Sequence, residues 1–140
     1  EALKICEEII KEKLSAGSTS VMAPVYWKAM LETGKTGGGR LEKMLDEAVA
    51  SAPRTVAAMA LIARGDLYKK EGRSRDALKD GYLRVALLFS TEKGPHAEAL
   101  YKASEVFDEL HQTSHADKMR QTLLSRHADS EYAKKLRGGN

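Results

Sequence analysis

The stretch Gly65-Asp-Leu-Tyr68, followed by Gly72, Ala77 and Tyr82, decides how this chain is read, because it returns further on. At an offset of 39 residues, Ser104-Glu-Val-Phe107 places small residue on small residue, Val106 on Leu67, Phe107 on Tyr68 and Ala116 on Ala77. An earlier copy fits at slightly shorter spacing: Gly34 lies 38 before Gly72, Leu41 lies 37 before Leu78, and Leu3 lies 38 before Leu41. A period of roughly 34 to 40 residues built from two helices marks a helical solenoid. A single helix pair cannot bury its own apolar face, so each pair leans on its neighbours.

Helical spacing of apolar residues and local stop signals set out the units. Leu3, Cys6, Ile9, Ile10 and Leu14 give an amphipathic helix over 1–14, and Ser15 to Ser20 a turn. Helices are expected from Met22 to Thr33, with Pro24 in the first turn, and from about Leu41 until just before Pro53. The glycines from Gly34 to Gly39 would each cost a helix about 1 kcal/mol and are read as a loop. Thr55 to Glu71 makes a further helix, with Gly72 supplying a left-handed stop. Ser74 is expected to cap a helix to about Ser90, Pro95 to open one ending near His111, and Ser114 to cap one ending near His127. Asp129 or Ser130 caps a short last helix, and the tail from Arg137 to Asn140 is expected to fray. The chain thus reads as one domain over 1–140: the second helix of a truncated unit (1–14), pairs over 22–52, 55–91 and 95–127, and a capping helix over 129–137.

Composition agrees with an all-α class. Hydrophobic residues make up 42%, charged residues 31% and aromatics only 6%. That suits packed helices better than a sheet, which favours β-branched and aromatic residues. A net charge of +3 is too small to imply nucleic acid or an anionic membrane. The single cysteine, Cys6, leaves the redox compartment open and reads as a small buried hydrophobe. No apolar run nears the roughly 20 residues of a membrane span, so direct membrane insertion is not expected. The chain starts at Glu1, without methionine and within the first helix, so further repeats are expected upstream.

Gly65, Tyr68, Gly72, Ala77 and Tyr82 resemble the tetratricopeptide pattern, in which small residues let two helices approach and an aromatic fills the gap. The fit is imperfect at one point: Gly81 occupies the usual aromatic slot and Tyr82 sits one place beyond it. Ser104, Phe107, Ala116 and Leu123 carry the pattern onward, with His111 in place of the expected glycine, and Pro53 stands where such units often place a proline. The resemblance implies a right-handed α-α superhelix of antiparallel pairs, and a non-catalytic scaffold for protein–protein interaction. The segments Pro95 to Tyr101 and Ala128 to Ala133 are similar to bacterial cell-envelope members of that family, which points to the periplasm.

In that family, ligands lie in the groove lined by the first helix of each pair. Counted from Gly65, the groove-facing positions are Lys28, Leu31 and Glu32, then Met59, Ile62, Asp66, Lys69 and Lys70, then Glu98, Tyr101, Glu105, Asp108 and Glu109. This register predicts a groove basic in the middle and acidic toward the C-terminus, able to orient a peptide or protein segment with Tyr101 as anchor. The opposing reading is that these charges only solvate an exposed face. Ile5, Ile9 and Ile10 on the truncated edge also open a route to self-association.

Other chemistries fit poorly. Ala29 to Thr36 matches the loose form of a phosphate-binding loop, which would make a nucleotide hydrolase using Lys35 the alternative function. Such a loop needs a strand before it and a helix directly after Lys-Thr; here a helix precedes it and glycines follow. His111 and His115 have metal spacing, yet Gln112 to Ser114 reads as the inter-helix turn, so the rings need not converge, and no cysteine or carboxylate completes an obvious site. No cofactor is expected. His96 and His127 read as helix-end residues, Tyr26 and Trp27 as packing. The basic residues Arg54, Arg64, Lys69, Lys70, Arg73, Arg75, Lys79 and Arg84 spread over several faces, which argues against a phosphate-tracking surface and nucleic-acid binding.

Overall fold

A computed structural model describes residues 22–34 and 39–138 of the chain, with side chains from Pro24 onward. The expected helix over 1–14, the turn after it, Cys6, Ile5, Ile9, Ile10, Lys35, Thr36 and the last two residues lie outside the described residues. The described chain is helical, and no strand occurs among the described residues. Helix α1 spans Met22–Thr33, α2 Arg40–Ser51 and α3 Arg54–Lys70. Next comes a single rod in three parts: α4 (Ser74–Ala77), a π-helical turn (Leu78–Tyr82) and α5 (Leu83–Leu88). The remainder is α6 (Lys93–Glu109), α7 (Thr113–Arg126) and α8 (Glu131–Gly138).

The helices form two layers. In the first, α1 packs on α3, α3 on α6 and α6 on α8. In the second, α2, the π-interrupted rod and α7 make their close backbone contacts with the first layer, through α2–α3, rod–α3, rod–α6, α7–α6 and α7–α8. Three apolar clusters run in series along the stack. Tyr26, Trp27, Met30, Leu41, Leu45 and Leu67 join α1, α2 and α3. Leu61, Tyr82, Val85, Ala103, Val106 and Ala116 join α3, the rod, α6 and α7. Leu100, Leu123 and Ala133 close the C-terminal end. Leu41 and Leu45 are fully buried, each contributing about 1.5–3 kcal/mol of transfer free energy.

The repeat shows in the helix ends. After α3, Gly72 takes a left-handed φ of 77°, Arg73 N–H donates to Tyr68 O at 2.8 Å and Gly72 N–H to Lys69 O at 3.0 Å. This pair of bonds satisfies carbonyls that the helix leaves open. After α6, His111 repeats the geometry at φ 60°, with Gln112 N–H on Phe107 O at 2.8 Å and His111 N–H on Asp108 O at 3.0 Å. Helix starts follow the expected caps less closely. Ser74 and Ser114 lie inside their helices, after Arg73 and Gln112, while Ser130 does cap α8 by accepting Ala133 N–H at 3.1 Å. Pro95 sits in the first turn of α6 instead of opening it, which costs nothing because first-turn N–H groups lack helical acceptors.

The π turn accounts for the displaced aromatic. One extra residue in the turn moves Tyr82 onto the face toward α3, where its ring would touch a Cβ on Gly65 at 2.7–3.0 Å. Gly81 lies directly against the α3 backbone: a Cβ there would meet Gly65 Cα at 2.7 Å, Gly65 N at 2.9 Å and Leu61 O at 3.0 Å. Both glycines are therefore required by contact distance. Arg64, buried in α3, straddles the turn: Nε donates to Asp80 O at 2.7 Å and Nη1 to Asp46 Oδ1 of α2 at 2.7 Å.

Candidate functional site

A recess of about 330 Å³ opens on the first layer. Its apolar part comes from Pro24, Trp27 and Leu31 of α1 and from Met59, Ile62 and Ala63 of α3. Its polar part comes from Lys28, Asp66, Glu98 and Lys102, and Tyr132 of α8 bounds the far end. Of the expected groove residues, Lys28, Leu31, Met59, Ile62, Asp66 and Glu98 line it together. Leu31 and Ile62 are buried, whereas Met59 is 38% exposed and offers the accessible apolar surface.

The polar part is organised by ionic hydrogen bonds. Lys102 Nζ lies 3.0 and 3.1 Å from the two Asp66 oxygens and 2.7 Å from Glu98 Oε2. Tyr82 O–H donates to the same Asp66 from the π turn behind. Burial disfavours the Lys102 ammonium, but Asp66 and Glu98 outweigh it and raise its pKa, so it stays protonated. Burial and the Asp66 carboxylate push the Tyr82 hydroxyl upward, keeping it a donor. Tyr132, raised to about 12 by burial and by Glu98, likewise keeps its proton at neutral pH. The buried indole N–H of Trp27 has no acceptor among the described residues.

The other expected groove residues are placed differently. Lys70 donates to Leu31 O in the last turn of α1, where a cation meets open carbonyls, so it acts as a helix cap. Asp108 pairs with Arg120 of α7, which draws it toward the second layer. Tyr101 packs on Tyr132, ring centroids 5.4 Å apart, with Lys135 Nζ 5.8 Å above it, and is a seam between α6 and α8. Lys69 and Glu109 pair with each other at 3.2 Å across α3 and α6, while Glu105 stays exposed. Across this face Lys69 pairs with Glu109 and Lys102 with Asp66, so part of the charge expected to polarise the groove is offset between neighbouring helices. Sequence reasoning passed over Lys102, although it lies four residues from Glu98 and so on the same helix face. Tyr132 had no such signal, since only the turn of α8 brings it there.

The competing motifs resolve in the same way. Ala29 to Thr33 belongs to α1, and Gly34 is a left-handed turn at φ 72°, so helix and not strand leads into the phosphate-loop-like segment. His115 lies against Phe107, ring centroids 5.2 Å apart, and His111 occupies the turn. Among the described residues, no three His, Cys, Asp or Glu side chains group to hold a metal ion, and no helix is long and apolar enough to cross a membrane. His96, in the first turn of α6, and His127, just after α7, do lie at helix ends, and there they meet: His96 Nδ1 lies 2.6 Å from His127 Nε2, and His96 Nε2 lies 2.9 Å from Ala86 O. A carbonyl can only accept, so His96 carries its proton on Nε2, and His127 Nε2–H donates to the bare Nδ1.

No known protein family, curated protein or solved structure matches this chain.

Proposed function

We propose that this chain is a non-catalytic, tetratricopeptide-like interaction module that binds a peptide or protein segment in the recess of its first helical layer. The observation that carries this reading is the union of an accessible apolar wall, centred on Met59, with a preset polar group at Asp66, Lys102 and Glu98. Such a site grips an apolar side chain on one side and orients main-chain or polar groups on the other. Because Tyr82 and Lys102 already hold Asp66, little ordering remains to be done when a ligand arrives. The repeated helix ends at Gly72 and His111 support the tetratricopeptide-like reading, since they recur at the 39-residue period found in the sequence.

Selection from a random peptide library against the full chain tests this, with counter-screening against Met59→Lys and Lys28→Glu, both exposed changes. Peptides that share a pattern and lose at least about tenfold in affinity to the variants, or about 1.4 kcal/mol, support the recess. If selected peptides bind parent and variants alike, or nothing is selected, the recess is not the site. Stabilisation of the parent by ATP and magnesium would instead favour the hydrolase reading.

A further inference from the structure

A second surface lies outside the recess, on the rod and the turn after α6. Leu78, Leu83, Leu87, Leu88 and Leu110 floor a cavity of about 640 Å³. Leu78 is 5% exposed at the bottom, while Leu87 and Leu88 stand 73% and 63% exposed at the side. The π turn explains their position: one inserted residue rotates everything after it by about 100° relative to an uninterrupted helix. Val85 keeps the buried face, and Leu87 and Leu88 are carried outward.

The rim is basic. The side chains of Arg75 and Lys79, four residues apart on the rod, make no ion pair or hydrogen bond with any described residue. Arg84 meets Asp80 at 3.4 Å. Among the described residues, no carboxylate lines the cavity. The contrast with the rest of the basic cluster is sharp: Arg64 is buried on Asp46, Lys69 is paired with Glu109, and Arg73 is held by Asp76 and Glu71.

We propose that this cavity docks an amphipathic helix of another protein, one with large apolar side chains along a single stripe and carboxylates beside it. A leucine-lined trough along a helix suits a stripe at i, i+3, i+4 and i+7. Arg75 and Lys79, whose side chains are unpaired among the described residues, call for acidic flanks. A second copy of the chain fits badly, because a two-fold contact across Leu87 and Leu88 would set the Arg75, Lys79 and Arg84 clusters of both copies against each other. An anionic membrane fits badly too. Only Leu87 and Leu88 protrude enough to enter one, while Leu78, Leu83 and Leu110 form a hollow that acyl chains would leave unfilled. The surface is independent of the recess, so either assignment can fail alone.

The test uses the full chain and two synthetic helical peptides with the same leucine stripe, one flanked by glutamates and one by lysines. Fluorescence anisotropy is read at about 0.05 and 0.5 M salt, where the screening length falls from above 10 Å to below it. The acidic peptide is expected to bind at least tenfold more tightly than the basic one, and more weakly in high salt. The double change Arg75→Glu with Lys79→Glu should cost at least tenfold in affinity. Leu87→Asp should abolish binding. Met59→Lys should leave it unchanged. These side chains are exposed, so thermal unfolding of the variants should match the parent and exclude a folding defect. The proposal is overturned if both peptides bind alike, if neither binds, or if the rim variants bind as the parent does. A parent dimer dissolved by Leu87→Asp, or rim-dependent binding to phosphatidylserine vesicles without peptide binding, overturns it in favour of those occupants.

Discussion

Replacing Gly81 with alanine tests the close contact between the rod and α3. The added methyl would stand 2.7 Å from Gly65 Cα and 2.9 Å from Gly65 N, about 0.7 Å inside the 3.4 Å at which ordinary contacts begin. Both obstacles are backbone, as is Leu61 O at 3.0 Å, so no rotamer change relieves them. The rod must instead move off α3 by most of that distance. A radial gap of 0.5–1 Å forfeits a quarter to a half of each dispersion contact along the seam. Overpacking of this kind costs about 3 kcal/mol at the upper end of its usual range. Alanine returns about 1 kcal/mol through its better helix propensity, leaving a net loss of about 2 kcal/mol. In a chain of this size that lowers Tm by roughly 8 °C. Urea unfolding followed by circular dichroism reads the change as a lower midpoint at constant slope. Gly94→Ala, in the first turn of α6 with nothing within 4 Å, is the control and should be neutral or slightly stabilising. A Gly81→Ala variant as stable as the parent would refute the seam, and with it the account of why Tyr82 is displaced.

Two further outcomes follow from the same geometry. His111→Gly should stabilise the chain by about 0.5–1 kcal/mol, because a side chain at φ 60° carries left-handed strain that glycine lacks; an unchanged or lower urea midpoint would count against the turn. Stability should also fall on acidification through the His96–His127 pair. Burial lowers the pKa of both rings, and Arg126 opposes their protonation, as Lys93 also does for His127. The unfolded chain then takes up protons first, so this contribution is complete above the unfolded pKa near 6.5 and declines as pH falls from there through the folded values. Urea midpoints for the parent and for His96→Gln with His127→Gln, compared between pH 8 and pH 5, should show a steeper acid loss in the parent; parallel profiles would refute the pair's role.

The helical class, the order of the helices and most of their ends could be read from residue spacing alone. Those signals are local: Gly72 stops α3 through its own left-handed backbone, and Leu41 with Leu45 marks a buried stripe within one helix. The 39-residue recurrence likewise carried over to matching turns at Gly72 and His111. About half of the recess was legible for the same reason: Met59, Ile62 and Asp66 follow helical spacing from Gly65, and Lys28, Leu31 and Glu98 follow from the repeat. Only the tertiary structure decided which charges meet. Lys102 joins Asp66 across 36 residues and Lys69 joins Glu109 across 40, because two helices of the first layer lie side by side at that depth. Sequence contains such charges but does not say which face across a seam, so these cross-helix pairs were not legible in it. The π turn was visible only as a misfit, with Tyr82 one place late. Its consequence, Leu87 and Leu88 turned outward, comes from how the rod is wound against α3, which no single helix specifies.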